Sequence, residues 1–519
     1  MLWAALGLLA LLLAAVWWVR RGIARLAAAA LPDAPAPHQH DSPLRRAVAA
    51  LALPPGQSGL VTLRDGLDAY AARVQLIRAA TCTLDLQYYI WQGDTAGRLM
   101  LDELRQAAAR GVRIRLLLDD LGVPDLDPLL QALDSLPGVE VRLFNPFLLR
   151  RLRLLNLLLD FGRLNRRMHN KSFTADGVAS VLGGRNIGDE YFESGARVHY
   201  IDFDLLALGP APAAVTADFD RYWASGHALP AAALLRPRPG ALGRLQAKAA
   251  ALRTGPEGAP YAEALTEGSA LGDLLAGRLV PHVAPVQLLS DDPEKARGRA
   301  SQHQLIIARL ALRVARARQK VDLVSAYFIP GGRGLRTLSA LTRRGVQLRI
   351  LTNGQQSTDV RLVHVFYARY RRKLLRAGVA VYEVKAGLGL RLPRRRKRRV
   401  LTGASTGTSL HAKTFVIDGR SLFVGSFNLD QRSVFLNTEM GFLIESPALA
   451  AEVSAGIEED MAEIAYRLRL RKGGQKGALD WIETDATGAL IIHRTEPGTT
   501  LFSRTVLRLA GRLPIEWLL

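Results

Sequence analysis

The stretch Met168–Gly177, MHNKSFTADG, occurs a second time as Leu410–Gly419, LHAKTFVIDG. In both copies a lysine follows the histidine by two positions, an aspartate stands five beyond the lysine, and a glycine follows the aspartate. The chain continues as VASVLGGRN to Asn186 and as RSLFVGSFN to Asn428, so each asparagine lies equally far from its histidine. Alternation along a strand sends His169 and Lys171 to one face, and likewise His411 and Lys413. Asp176-Gly177 and Asp418-Gly419 are hairpin-turn dipeptides. The apolar run after each turn then carries the asparagine back to the end where its own histidine begins. Each copy therefore predicts a β-hairpin that gathers an imidazole, an ammonium and an amide around one point. A single His-x-Lys is as readily an edge strand facing water. Two copies matched on both sides of the turn are not explained that way.

The surroundings repeat as well. Thr83–Trp91 (TLDLQYYIW) reads as a strand, Gly97–Arg110 as a helix, and Val112–Leu118 and Val139–Phe144 as strands ending in Asp119-Asp120 and Asn145-Pro146. In the second half Val321–Phe328 is a strand, Gly334–Arg344 a helix, and Gly345–Leu351 and Gly378–Val384 strands. Strand, helix, strand, strand, hairpin, twice over, predicts an α/β fold of two halves related by a pseudo-twofold. We divide the chain into an N-terminal membrane anchor at 1–30, a linker at 31–55 containing PDAPAP, a first half at 56–270, and a second half with a C-terminal extension at 271–519. Within this, Ala231–Gly277 reads as connecting helices and loops.

The length suits two units better than one core. Nearly half of the residues are apolar, so a large core is available. The formal net charge of +22 calls for an anionic partner: nucleic acid, acidic lipid or a phosphorylated substrate. Cys82 is the only cysteine, which excludes an intramolecular disulfide and a cysteine-rich zinc site. Leu2–Val19 is an uncharged apolar run close to the minimum for a bilayer span, with Trp17 and Trp18 at its end and Arg20, Arg21 and Arg25 beyond. A cleaved signal peptide is the competing reading. The arginines follow the apolar run instead of preceding it, which favours a single N-terminal transmembrane helix. Three further stretches suit a membrane surface, each with a competing reading: Phe147–Arg167, which alternates Leu clusters with Arg, is equally a helix packed on the core with a solvated basic face; the polybasic Arg391–Arg399 reads more readily as a solvated charge run; and Leu501–Leu519 docks on lipid or covers a core face.

Facing each other, the two half-sites would form one pocket with two imidazoles, two ammoniums and two amides. No carboxylate cluster suited to magnesium lies near the hairpins, so Lys171 and Lys413 are the groups expected to neutralise a phosphate, and no metal or cofactor is called for. Asn186, Asn428 and Ser426 are expected to donate to its non-bridging oxygens. One imidazole attacks phosphorus, and the other protonates the leaving alcohol and then deprotonates the incoming one. A carboxylate behind each ring would set its tautomer. Glu439 and Asp202 are the candidates, with Asp204 an alternative to Asp202. Asp176 and Asp418 belong to the catalytic motif, but their place at the turns suits support of the hairpin better than reaction.

At these residues the chain resembles the phospholipase D superfamily, whose signature is His-x-Lys, four residues and Asp, present twice. It is most similar to the bacterial C-type cardiolipin synthases. The stretches that carry this are LDLQYYIWQ at 84–92, LNRRMHNKSFTADG at 164–177, GGRNIGDEYF at 183–192, SLHAKTFVIDG at 409–419, GSFNLDQRSVFLNTEMGFLIES at 425–446 and the terminal LPIEWLL. The resemblance implies catalytic roles for His169, Lys171, Asp176, His411, Lys413 and Asp418, with His169 as nucleophile and His411 as acid. It further implies phosphatidyl transfer onto phosphatidylglycerol through a phosphohistidine, giving cardiolipin, with phosphatidylethanolamine the donor associated with C-type enzymes. The expected partners are anionic and zwitterionic phospholipids at the bacterial inner membrane. The competing functions are a phosphodiesterase acting on lipid or nucleic acid and a non-catalytic lipid-binding scaffold. The apolar anchor and Leu/Arg segments are features a nuclease does not need, and complete motifs in both halves are features a scaffold does not need.

Overall fold

The computed structural model describes residues 2–29, 41–192, 198–266, 270–386, 407–471, 477–485, 487–501, 504–505, 509 and 511–518. The polybasic Arg391–Arg399 run and parts of 501–519 lie outside them. The first half supplies strands β1 (Gln57–Leu63), β2 (Thr83–Tyr88), β3 (Arg113–Asp119), β4 (Val139–Phe144), β5 (Ser172–Ala175), β6 (Ala179–Gly183), β7 (Val198–Ile201), β8 (Asp204–Leu208) and β9 (Ala228–Pro230). The second half supplies β10 (His282–Ser290), β11 (Lys320–Ser325), β12 (Gln347–Asn353), β13 (Ala380–Val384), β14 (Gly407–Leu410), β15 (Lys413–Ile417), β16 (Ser421–Gly425), β17 (Met440–Glu445) and β18 (Ala465–Leu470).

The spatial order β4-β3-β2-β5-β6-β8-β1 of one half is repeated as β13-β12-β11-β15-β16-β17-β10 in the other. In each half the first three strands are parallel and the hairpin and its neighbours antiparallel. β1 and the start of β10 pair antiparallel, so the two sheets are continuous at their edges. The strands run to apolar sequences because both faces are covered. Each half has its own core, and a third apolar cluster joins them, drawing Leu182, Leu205 and Val215 from one half and Val416, Leu422 and Phe442 from the other. Matching buried ion pairs cross matching strand pairs: Arg115 forks onto Asp85 at 2.7 and 2.8 Å, and Arg349 onto Asp322 at 2.6 and 3.0 Å.

The two hairpins form as expected. Asp176 (φ 49°) with Gly177 (φ 65°) and Asp418 (φ 52°) with Gly419 (φ 60°) are all left-handed, the conformation a right-twisted hairpin needs at its turn. Strand β2 is shorter than the Thr83–Trp91 run expected for it. It ends at Tyr88 because the N–H of Ile90 donates to Asn186 Oδ1 and that of Trp91 to Gly122 O, off the ladder. Leu2–Ala29 forms one helix of 28 residues. Among the described residues no helix is long and apolar enough to cross a membrane.

Candidate active site

The peptide before each histidine is held from two sides. Asp119, at the end of β3, accepts the Met168 N–H at 2.9 Å and pairs with the buried Arg167. Asn353, at the end of β12, does the same for the other half: its amide donates to Leu410 O at 2.8 Å and accepts Leu410 N–H at 2.9 Å. On the other side the chain pairs with the opposite half. Met168 bridges Thr438 in parallel, and β14 pairs in parallel with β7, Leu410 opposite Ile201. The His169 N–H donates to Thr438 O at 2.9 Å and the His411 N–H to Ile201 O at 2.7 Å.

Thr438 precedes Glu439, and Ile201 precedes Asp202. Each pairing therefore delivers a carboxylate from one half to the histidine of the other. His169 Nδ1 lies 2.8 Å from Glu439 Oε2, and His411 Nδ1 lies 2.5 Å from Asp202 Oδ2. With Nδ1–H donating to a carboxylate, Nε2 of each ring is left to act on a substrate. Both rings, both carboxylates and both lysines are buried.

The two carboxylates are supported differently. Glu439 accepts from Ser426 Oγ at 2.5 Å and from Ser433 Oγ at 2.8 Å, besides His169. Among the described residues Asp202 Oδ1 accepts only the N–H of Phe203, at 2.8 Å. At the position matching Ser426 stands Gly184, where a Cβ would come 2.1 Å from Asp202 Oδ1. The shorter aspartate fills the space that a side chain would need, and this accounts for glycine there. Ser426, expected on the substrate phosphate, is instead tied to Glu439 and also accepts the Met440 N–H at 3.0 Å. Asp204, the alternative carboxylate, is turned away into a buried pair with Arg73 at 2.8 Å.

Lys171 Nζ curls back to His169 O at 2.7 Å, and Lys413 Nζ likewise donates to His411 O. Asn186 Oδ1 accepts the Ile90 N–H at 3.1 Å and Asn428 Oδ1 the Tyr327 N–H at 3.3 Å, which fixes both amides. The buried Nδ2 of Asn186 has no hydrogen-bond partner among the described residues, a donor left over. Asp176 and Asp418 lie at the opposite end of their strands from the histidines. Asp176 accepts the N–H groups of Thr81, Cys82 and Thr83 at 2.9–3.3 Å, and Asp418 those of Arg318, Gln319 and Lys320 at 2.8–3.1 Å. They clamp the turn preceding β2 and β11 and touch neither imidazole.

The electrostatics lower both rings, His169 the further. Burial, with Lys171, Lys413 and His411 nearby, pushes His169 well below the ordinary histidine value, so it is neutral. Burial raises its partner Glu439 to about 7, against the pull of Lys171 and the two serines. For Asp202 burial also acts upward, but the charges and hydrogen bond of His411 and the charge of Lys413 overturn it and hold the carboxyl ionised. Burial and Lys413 lower His411 as well, a shift that the ionised Asp202 opposes but does not reverse. Burial takes Lys171 down to about 7 and also lowers Lys413.

Sequence reasoning missed an aromatic lining. Tyr89 packs 5.0 Å from His169, and Tyr191 and Tyr200 lie 5.3 and 5.0 Å from His411. Tyr200 and Tyr327 hydroxyls donate to Asp359 at 3.3 and 2.7 Å. The only signal was the aromatic content of QYYIW, DEYF and SAYF, which core packing explains equally well. Among the described residues no group of three or more His, Cys, Asp or Glu is placed to hold a metal ion.

A family model described as cardiolipin synthase, PLD-like domain, matches residues 74–223 and again 310–461, one match per half. The chain is 44% identical over 470 residues to cardiolipin synthase C of Escherichia coli K12, covering 90% of this chain and 97% of that protein. It is 32% identical over 472 residues to an uncharacterized protein of Helicobacter pylori, 89% of each chain. Among solved structures, the phosphatidylserine synthase of Haemophilus influenzae Rd KW20 superposes with a TM-score of 0.54 over 89% of this chain and 95% of that one, at 15% identity, which is a likeness of fold.

Proposed function

The chain belongs to the cardiolipin synthase family of phospholipase D-like proteins, and on that footing we propose that it is a membrane-associated phosphatidyltransferase that makes cardiolipin from phosphatidylglycerol and a second phospholipid. The observation that carries the reading is the crossed pair of imidazole–carboxylate contacts, His169 with Glu439 and His411 with Asp202, beside two buried lysines. Neither half has a complete site alone.

In the first step Nε2 of neutral His169 attacks the donor phosphorus. The bond from phosphorus to the head-group oxygen breaks, and that oxygen takes the proton of the His411 imidazolium. The products are the free head-group alcohol and a phosphatidyl-histidine. In the second step a hydroxyl of phosphatidylglycerol gives its proton to His411 and its oxygen attacks phosphorus. The phosphorus–nitrogen bond breaks, releasing cardiolipin and restoring both rings. Lys171, Lys413, Asn186 and Asn428 stabilise charge on the non-bridging oxygens. Glu439 and Asp202 hold the tautomers, Ser426 positions Glu439, and Asp176 and Asp418 hold the scaffold. The two halves are residues 56–270 and 271–519. Leu2–Val19 anchors the chain in the bacterial inner membrane, with the exposed Trp17 and Trp18 at its interface. Phosphatidylethanolamine is the proposed donor.

The test is product analysis with labelled donor in vesicles of phosphatidylethanolamine and phosphatidylglycerol. Labelled cardiolipin that disappears in His169→Ala supports transfer. Phosphatidic acid as the sole product would make the protein a hydrolase, and no lipid product from any donor mixture would end the reading.

A further inference from the structure

The Arg153–Leu164 helix buries Leu159 and Leu164 yet is apolar on its outer side as well. Its outward stripe is apolar: Leu154 and Leu158 are each 79% exposed, Phe161 is 47% exposed, and Leu155 and the preceding Leu152 are exposed with them. Its inward side includes polar groups. Asn156 is fully buried and bonded to Leu149 O at 2.9 Å, Leu152 O at 3.1 Å and Leu149 N at 3.0 Å, while the buried Asp160 pairs with Arg163 at 2.6 Å. A helix facing water is arranged the other way. Five large apolar side chains exposed on one side mark an interaction surface.

Two observations select its occupant. The N-terminal Leu2–Ala29 helix packs against this helix, with Gly22 approaching so closely that a Cβ would lie 3.0 Å from Leu148 Cδ1. The N-terminal helix itself exposes Leu13, Trp17 and Trp18. Exposed arginines accompany both helices: Arg21, stacked over Trp17 at 4.8 Å, with Arg25 on one, and Arg151 at the start of the other. Apolar side chains with a cationic fringe fit the headgroup–acyl boundary of an anionic bilayer.

The helix also leads straight to the reactive ring. After Leu164 the chain is clamped: Arg432 donates to Asn165 O at 2.6 Å and Oδ1 at 3.0 Å, Arg166 donates to Phe435 O at 2.9 Å, Arg167 pairs with Asp119, and His169 follows. We propose that the Leu154/Leu158/Phe161 face lies in the bilayer interface beside the N-terminal helix and sets the His169 side of the site at the lipid surface, so that a phospholipid reaches the nucleophile without leaving the membrane. This deepens the lipid-transfer reading and rests on it for the identity of what enters.

The test uses the full chain with Cys82→Ser and Leu158→Cys, labelled at Leu158→Cys with an environment-sensitive fluorophore, and vesicles of phosphatidylglycerol and phosphatidylethanolamine. The expected result is a blue shift on vesicle addition and quenching by nitroxide lipids labelled near the glycerol level. In parallel, Leu154→Asp/Leu158→Asp/Phe161→Asp is expected to lose activity on vesicles by about tenfold or more, from lost apolar burial, and to keep its activity on dissolved short-chain lipids. A label that stays in water on vesicle-bound protein overturns the proposal. So does a blue shift without lipid accompanied by a doubled mass, which assigns the face to a second copy, and so does an equal loss on both substrates, which makes the helix a folding element. A label that enters the bilayer on wild-type-like protein making no cardiolipin would sink the catalytic reading and leave this one standing.

Discussion

Asp202→Asn and Glu439→Gln both exchange a carboxylate for an amide behind a histidine, and the structure predicts very unequal costs. At position 202 the Phe203 N–H is a fixed backbone donor on Oδ1. An amide that turned its nitrogen toward it would leave two donors facing, at about 1–3 kcal/mol. The amide oxygen must therefore stay there, which puts the NH2 against His411 Nδ1. The ring then carries its proton on Nε2, and its imidazolium loses the ionised partner. A wrong-tautomer histidine costs roughly 10^3–10^4 in kcat. At position 439 the donors on Oε2 are His169 and Ser426, while among the described residues Oε1 accepts only from the rotatable Ser433 hydroxyl. The amide oxygen takes the Oε2 place, Ser433 turns to accept, and the His169 tautomer survives. What is lost is the charge on one hydrogen bond, about 1–2 kcal/mol, or roughly 5- to 30-fold. The assay is steady-state cardiolipin formation with labelled donor, with a rapid acid-free quench to trap phosphatidyl-enzyme. The mutation in the first half should cripple the acid–base ring of the second half, so Asp202→Asn should form phosphatidyl-enzyme slowly as well as turn over slowly. Equal losses for the two variants, or an Asp202→Asn enzyme within tenfold of wild type, would refute the crossed assignment.

The same geometry sets five further outcomes. Lys171 is buried and lowered to about 7, so kcat/KM should fall as pH rises through 7 and the free enzyme loses this charge. The protonated lysine also costs the fold: the penalty is full below pH 7 and is relieved between 7 and its unfolded value near 10.5, so Lys171→Met should raise Tm at neutral pH while abolishing turnover. Gly184→Ala must displace the Asp202 carboxylate and should lower kcat by about 10^2, whereas Ser426→Ala removes one of three donors to Glu439 and should cost less than about tenfold. Asp176→Ala deletes the acceptor of three backbone N–H groups at a left-handed position. It should lower stability by about 2–4 kcal/mol by denaturant unfolding, while enzyme that remains folded keeps most of its kcat.

The sequence by itself determined the repeat and everything local to it. Hairpin turns, strand alternation and helix periodicity depend on residues a few positions apart, so the Asp-Gly turns, the His/Lys pairing and the order of elements were legible. Glu439 and Asp202 were legible as carboxylates downstream of the hairpins, but not which ring each would serve. Only the tertiary structure decided that, because Thr438 and Ile201 pair with chain more than 200 residues away, and no local pattern encodes such a register. The same holds for Ser426. Its hydroxyl looked free to meet phosphate until the fold set a buried carboxylate 2.5 Å from it. Nor does any local pattern show that Asp202 fills the space a side chain at Gly184 would need. The Leu/Arg segment after Phe147 carried its apolar period openly, but periodicity is blind to which side faces the protein. Only the packed chain shows that Leu159 and Leu164 face inward with Asn156 and Asp160, while Leu154, Leu158 and Phe161 face outward.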